Sequence, residues 1–364
     1  MLLCFLPSDA PKKESFADQP YSMRIKRRLP LVFAVLLIAA VVALLVVLRK
    51  HAPPEPARLL PGADGFAYVN LEWIRRTNLT GQMPVVPHDP DYERFIQETG
   101  FQFERDLDHA AFAIHYPGDS GGDRETRFSE IFVGKINGER LRAYLRNISG
   151  SIDSFGSTEI YNIPLTGRTL RVAILGVDTV AASNNSDRDV IRGIITRSRK
   201  LASPFGGPAL LRQYYKHVPL TSLAWVIFRT HDSPDTAAAG AGLTLDSSLL
   251  FSKPAVIVGS ARYLGSVHLK AEAFTGSEDE AQHVTEKAQT FLALLGSAET
   301  SVSSGTDPDL KQLFGSLKIE KHKDRAVLTA NVPVNFIRKL VAEAPNQVEP
   351  GEPQPKTAPK NSSP

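Results

Sequence analysis

Residues Leu29 to Leu48 read LPLVFAVLLIAAVVALLVVL, 20 residues without a charged or strongly polar side chain. At about 1.5 Å rise per residue such a helix spans roughly 30 Å, the hydrocarbon thickness of a bilayer. Pro30 falls in the first turn, where a missing N–H breaks no helical hydrogen bond. The run predicts a transmembrane helix; buried helices of soluble domains seldom run so long without a polar residue. Lys12, Lys13, Arg24, Lys26, Arg27 and Arg28 precede it, whereas only Arg49, Lys50 and Arg58 follow closely. That excess predicts a cytoplasmic N-terminus with the rest of the chain outside the membrane. A cleaved signal peptide is the competing reading. The length of the run, and the lack of a small-x-small site in LRKHAPPEP, favour a retained anchor. Met23 is an alternative start to Met1.

The net charge of +3 is unevenly spread. Residues 1–58 hold 9 Lys/Arg against 4 Asp/Glu, and residues 59–364 hold 33 against 35. The part able to fold is therefore nearly neutral. It lacks the basic footprint that neutralises phosphates, so nucleic acid is not an expected partner. Cys4 is the single cysteine, which rules out an intrachain disulfide and a CxxC site. Three residues ahead of it are too few for a lipoprotein signal.

Punctuation divides the remainder. The basic segment 1–28 and the helix 29–48 lead into a spacer at 49–58, stiffened by three prolines in HAPPEP. Residues 344–364 carry six prolines and almost no apolar side chains, which predicts a disordered tail. Between them, strand and helix signals alternate. GFAYVNL (65–71) reads as a strand. HAAFAIHY (109–116) and FSEIFVGKI (128–136) read as a strand pair, and 169–175 with 178–184 as a hairpin about Gly176-Val177. Helices are expected at 91–100, stopped by Gly100, at 139–148, and after a Ser186 cap. SPFGGP (203–208) is a break, after which the order repeats. SLAWVIF (222–228), PAVIVGSA (254–261) and SVHLKAEAF (266–274) read as strands. The last presents His268, Lys270 and Glu272 on a wet face. A capping box at Ser277–Glu280 opens a helix ending at Gly296. A hairpin turning at Lys323-Asp324 and a last helix, PVNFIRKLVAE, close the fold. The expectation is an α+β chain: a transmembrane helix, then two similar modules at 59–203 and 204–343. Each would be a mainly antiparallel sheet with helices on one face.

Three phrases carry a resemblance: LLPGADGFAYVNLEWIRR just after the anchor, the DLDHAAFA strand, and LKIEKHKDRAVLTANV between two helices. They resemble a group of uncharacterised, single-anchor bacterial extracytoplasmic proteins across most of 59–343. The resemblance implies a domain outside the plasma membrane and names no catalytic residue.

His115 to Asp123 reads HYPGDSGGD and contains GDSGG, the loop that carries the nucleophile of trypsin-like proteases. Ser120 would be that nucleophile, with the N–H groups of Gly118 and Ser120 as oxyanion hole. The family's histidine and aspartate lie upstream, the histidine on a preceding β-barrel. Only about 60 residues separate Ser120 from the spacer here, and no AAHC-like context exists. Asp123 stands where that family has proline. A turn between two strands accounts for the same residues. Ser120 is thus the least poor candidate nucleophile for an alternative hydrolase reading.

No metal and no cofactor are expected. The nine histidines form no HxH or HExxH pair. His109 and His115 share a strand face but stand roughly 20 Å apart at about 3.3 Å per residue. HDPD (88–91) fits a helix cap and HDSPD (231–235) a turn. No GxxxxGK[ST] is present, and AAAGAG (237–242) follows no strand. The aromatics Phe66, Tyr68, Trp73, Tyr92, Phe95, Phe101 and Phe103 read mainly as core, with a few able to line a ligand groove between the modules. The leading expectation is a non-enzymatic, membrane-anchored protein that binds an envelope protein or component. A carrier of an apolar ligand is the further alternative.

Overall fold

Period-two alternation of apolar side chains dominates the chain beyond its spacer, and strands form there. The structure is a computed structural model and describes residues 37, 52–81, 88–116, 125–200, 206–230, 250–302 and 307–343. The chain divides into two compact units, Met1–Lys50 and His51–Pro364, and the sheet belongs to the second. Among the described residues no helix is long and apolar enough to cross a membrane. The apolar run 29–48, apart from helical Leu37, lies outside them, as do Ser120, HDSPD, AAAGAG and the tail.

A short helix α1 (Glu55–Leu59) precedes strand β1 (Gly65–Asn70). Asn70 then caps α2 (Leu71–Arg76) through Trp73 N. Asp89 caps α3 (Pro90–Thr99), with Pro90 in its first turn, as HDPD predicts. Gly100, at φ 73°, ends that helix in the left-handed conformation. A single turn, α4 (Phe103–Asp106), leads into β2 (Leu107–His115) and β3 (Arg127–Gly134). Helix α5 (Gly138–Ile148) is followed by β4 (Ser151–Phe155), β5 (Thr158–Leu165), β6 (Arg168–Ile174) and β7 (Thr179–Ser183). Helices α6 (Arg188–Arg199) and α7 (Ala209–Tyr214) complete this half. The second half has β8 (Ser222–Arg229), β9 (Val256–Tyr263), β10 (Val267–Phe274), α8 (Glu278–Val302) and α9 (Pro308–Ser316). It closes with β11 (Lys318–His322), β12 (Arg325–Val332) and α10 (Val334–Glu343).

The twelve strands among the described residues form one sheet in the order β11-β12-β10-β9-β8-β1-β2-β3-β7-β6-β5-β4. Every strand pairing among the described residues is antiparallel, and β1 joins β8 near the centre with Tyr68 opposite Trp225. Outward from this pair, each side runs through three consecutive strands and then a later hairpin. The β4–β5 hairpin extends one side only.

The pleat separates two cores. On one face Phe66, Tyr68, Ile131, Ala173, Trp225 and Ile227 pack with α1, α6 and α7. On the other, Tyr161, Val172, Val180 and Ala182 meet Leu141 and Leu145 of α5. Farther along, Val267 and Val332 pack with Leu79 and with α9 and α10 through Leu313, Phe336 and Ile337. Helices therefore cover both faces, where one covered face was expected. A strand such as DTVAAS is apolar at consecutive positions because both its sides are buried.

Other expectations change too. Glu272 is only 2% exposed, so its face of β10 is not wet there. Its Oε1 lies 2.6 Å from Lys270 Nζ, and its Oε2 3.5 Å from His217 Nδ1. Asp187, one residue beyond Ser186, caps α6 through Asp189 N. Helix α8 continues past Gly296 to Val302. The Lys323-Asp324 turn is borne out, with Lys323 at φ 54°.

At the sheet centre Tyr68 stacks on Trp225 at 5.6 Å between centroids, and Tyr215 meets Trp225 edge-on at 5.3 Å. Trp225 Nε1 is buried with no partner among the described residues. Trp225→Ala is therefore expected to cost about 3–5 kcal/mol. Trp225→Phe keeps the ring contacts and removes the unpaired N–H, so its cost should be only about 1 kcal/mol. Equilibrium unfolding in denaturant measures both. Equal losses would show that the ring stack does not hold the two halves together.

Candidate functional site

Helices α3 and α5 roof the outer face of β3, β7, β6 and β5. The roof is clasped by one side chain. Arg140, from the first turn of α5, donates through Nε to the Glu98 carbonyl at 2.9 Å and through Nη2 to that of Gln97 at 2.5 Å. Those carbonyls lie in the last turn of α3, where helix acceptors lack partners and a cation is favoured. Gly100 makes room for it: a Cβ there would stand 2.6 Å from Arg140 Nη1. Beneath the clasp, Asp106 fixes the returning chain. Its Oδ2 accepts from Gln102 N at 3.0 Å and from Arg105 Nη2 at 2.6 Å. The Arg105 guanidinium, more than any other partner, holds the Asp106 carboxyl below its usual range, against burial, which raises it. The Asp106 carbonyl also lies against Gly134, where a Cβ would approach within 2.3 Å.

Between roof and sheet is a cavity of about 340 Å³. That size lies at the low end of small-molecule sites, about 300–1,000 Å³. An aromatic group lines the cavity. Phe95 and Phe103 stack at 5.7 Å, Tyr144 meets Phe95 edge-on at 5.3 Å, and Phe101 meets Phe103 edge-on at 5.3 Å. Phe132, Leu145, Val172 and Ala182 also line it.

Besides the Tyr144 phenol, three polar side chains touch the cavity: Thr99, Asn137 and Glu130. Thr99 Oγ1 donates to the Phe95 carbonyl and Asn137 Oδ1 accepts from Arg140 N, so both serve the roof. Glu130 has no hydrogen bond or ion pair among the described residues. It stands on β3 opposite Phe112 of β2 and Ala182 of β7. Burial alone pushes its carboxyl above the ordinary range. The site is an apolar chamber with one unengaged carboxyl on its wall.

A second hollow, of about 450 Å³, lies on the opposite face between α1 and the β1–β2–β3 strands. Tyr68 Oη and His109 Nδ1 are 3.0 Å apart there. Burial raises the phenol and lowers the imidazole, so the hydroxyl donates to a neutral ring. The pairing engages both groups.

Ser120 lies outside the described residues. His115 belongs to the end of β2 opposite His109, with Nε2 3.2 Å from the fully buried Ser129 Oγ. In the HDPD segment, His88 Nδ1 pairs with Glu93 Oε1 at 2.8 Å, completing a cap. Among the described residues no group of three His, Cys, Asp or Glu side chains is arranged for a metal. The aromatics divide: Phe95, Phe101 and Phe103 line the cavity inside the first half, whereas Phe66 and Tyr68 belong to the opposite core. Glu130 went unnoticed in the sequence, although Phe128 and Phe132 flank it at the same strand parity.

No protein-family model matches the chain, and no curated protein does. Among solved structures, crystal form I of TP0453 shares a TM-score of 0.42 at 10% identity, over 81% of this chain and 98% of that one. Crystal form IV gives 0.41 at 11% identity, over 80% and 97%. A likeness this distant says nothing of function.

The Glu130 environment makes stability depend on pH. A carboxyl raised in the folded state contributes stability fully below the ordinary value, 4.5, and loses it as pH rises through the raised value. Glu130→Gln is neutral throughout. Its melting temperature should therefore exceed that of the wild type at neutral pH, and the gap should close in acid. A gap of constant size would mean that the carboxyl is not titrating in the cavity.

Proposed function

We propose that this protein is a single-pass, membrane-anchored binding protein of the bacterial envelope. Its folded domain lies outside the plasma membrane and holds a small, largely apolar molecule in the chamber beneath α3 and α5. The chamber carries the reading. A folded domain fills its interior to near-crystalline density, so an apolar void of this size lowers stability unless something occupies it. Glu130 adds a condition on the occupant. A polar end that donates hydrogen bonds, such as an amine or hydroxyl, would meet the carboxyl, while an apolar body would meet the phenylalanines. The apolar run 29–48 and the excess of cations before it support the anchor and its orientation.

The domain is in this reading a pair of related modules. GFAYVNL and SLAWVIF align with Tyr68 over Trp225, and these two residues are also partners across the central pair. That is the relation a two-fold axis between duplicated halves would produce. The neighbours follow suit, since β7 lies beside β3 as β12 lies beside β10.

Residues 51–343, purified without denaturation, are expected to carry a bound small molecule detectable by native mass spectrometry. The protein stripped of it should bind a neutral naphthylamine fluorophore saturably. Ala182→Phe narrows the chamber and should abolish that binding while the domain stays folded. Unchanged binding by Ala182→Phe, or none by the wild type, would rule the reading out.

A protein partner is the second reading, favoured by the terminal strand β4. Its outer edge has no neighbouring strand among the described residues, and Ile152 is exposed. An unpaired edge can accept a partner's strand. A photocrosslinker at Ile152 in intact cells should then capture a single envelope protein, and an empty or random pattern counts against it.

A further inference from the structure

We propose that the chamber's occupant carries two apolar arms joined at a polar group beside Glu130, one arm in the chamber and the other lying across an apolar strip near the middle of the sheet. The inference rests on the reading of the chamber as a binding site and names the class of molecule it takes. One row of paired residues runs from the chamber onto the strip. Glu130 of β3 stands opposite Phe112 of β2, and Phe112 opposite Ala67 of β1. Ala67 stands opposite Val226 of β8, Val226 opposite Gly259 of β9, and Gly259 opposite Ala271 of β10.

The strip is apolar throughout. Along this face, alternate residues of 65–69, 110–114, 224–228, 257–261 and 269–273 are all Gly, Ala, Val, Leu, Ile or Phe. The other face of the same strands is buried at Phe66, Trp225, Ile227 and Val258. The row itself is not. Ala67, Phe112, Gly259 and Ala271 are half-buried, and Val226 and the neighbouring Leu269 are 38% and 37% exposed. A contiguous apolar surface open to solvent marks a binding surface. It is also continuous with the chamber. Val69 and Phe112 pack with Phe101, and Phe112 meets Phe132 edge-on at 6.0 Å. Phe101 and Phe132 both line the chamber.

Hydrocarbon suits this surface better than protein does. Strands β2, β1, β8, β9 and β10 are each paired on both sides, so their backbone groups are engaged in the ladder. The strip adds no side-chain donor or acceptor, whereas a protein interface carries about one hydrogen bond per 100–200 Å². Four strand spacings by four residues make it roughly 19 Å by 13 Å, or about 250 Å². A second copy of the chain would need about 800 Å² on each partner. A single hydrocarbon chain fits in length. Glu130 to Val226 is three strand spacings, about 14 Å, and one acyl chain reaches half the hydrocarbon thickness of a bilayer, about 15 Å. Glu130 stands where the two surfaces meet. Ala182 and Val172 of the chamber continue the row on one side of it, and Phe112 and Ala67 on the other. A ligand that meets the carboxyl with a polar group therefore has room for hydrocarbon to either side of that group, as a dialkyl amine or a two-chain lipid does.

Full-length protein in intact cells is photolabelled with dodecylamine and, separately, with didodecylamine. Each probe carries a diazirine at the end of one chain, and mass spectrometry maps the labelled residues. Dodecylamine is expected to label chamber residues alone, and didodecylamine to label β1 and β8 as well. Val226→Glu puts a charge on the strip and should cut didodecylamine labelling of β1 roughly tenfold. Val226→Thr keeps the branched shape and should cut it about threefold. Dodecylamine labelling of the chamber should be unchanged in both variants, which also shows that they are folded. Didodecylamine confined to the chamber, or labelling of β1 unchanged in Val226→Glu, overturns the proposal and leaves the chamber reading standing. Equal labelling of the strip by dodecylamine overturns it too, because the bilayer itself would then meet the strip. If neither probe labels the chamber, the chamber reading fails and this proposal with it.

Discussion

Where β1 meets β8, five residue pairs from Gly65↔Phe228 to Val69↔Ala224 join strands from the two halves of the chain. Among the described residues no other strand pairing connects the halves. The pairing must close a loop of roughly 150 residues, an entropic penalty that grows only slowly with length but has to be met by contacts formed on closure. Those contacts are large. Phe66 lies opposite Ile227 and Tyr68 opposite Trp225, all four buried. The aromatic stack does locally what a single hydrophobic core does in a smaller domain. Without it, two five- and seven-stranded sheets would each expose a long apolar edge, a recognised route to aggregation.

The chamber depends on that continuity. Its floor is β3, β7 and β6, and β3 is held to the centre through β2 and β1. Its roof does not rest on tight packing, since the cavity intervenes. Backbone carbonyls at the end of α3 and the guanidinium of Arg140 hold the two helices together instead. A roof fixed by hydrogen bonds at one end, over side chains that do not fill the space beneath, can admit a ligand without unfolding the sheet. This is the kind of region in which local opening is least costly.

Much of this arrangement is written in the pattern of single strands. SVHLKAEAF alternates cleanly, HAAFAIHY is an apolar run between histidines, and both strands form as expected. The capping residue Asp89 and the stop at Gly100 act where their chemistry puts them. Three features escape a one-strand reading. Residues 151–165 mix Asp153, Glu159 and Pro164 with Ile160, Tyr161 and Ile163, whose consecutive apolar positions feed two different cores, so the β4–β5 hairpin shows no clean alternation. The burial of Glu272 comes from His217 and Arg325, which arrive from distant elements. The covering of both faces depends on which helix turns which way after its strand. The site did leave a local mark. Glu130 sits between Phe128 and Phe132 on one strand face. A charge at an apolar parity is the signal, and it is read only once the strand is treated as buried on both sides.

The floor of the chamber is also locked in register. The buried pair Ser129–Ser183 bonds β3 to β7 across their side chains as well as their backbones. Sliding the register would break it and leave two hydroxyls buried without partners, each unpaired group costing about 1–3 kcal/mol. The chamber can therefore open at its helical roof while its floor keeps its pairing.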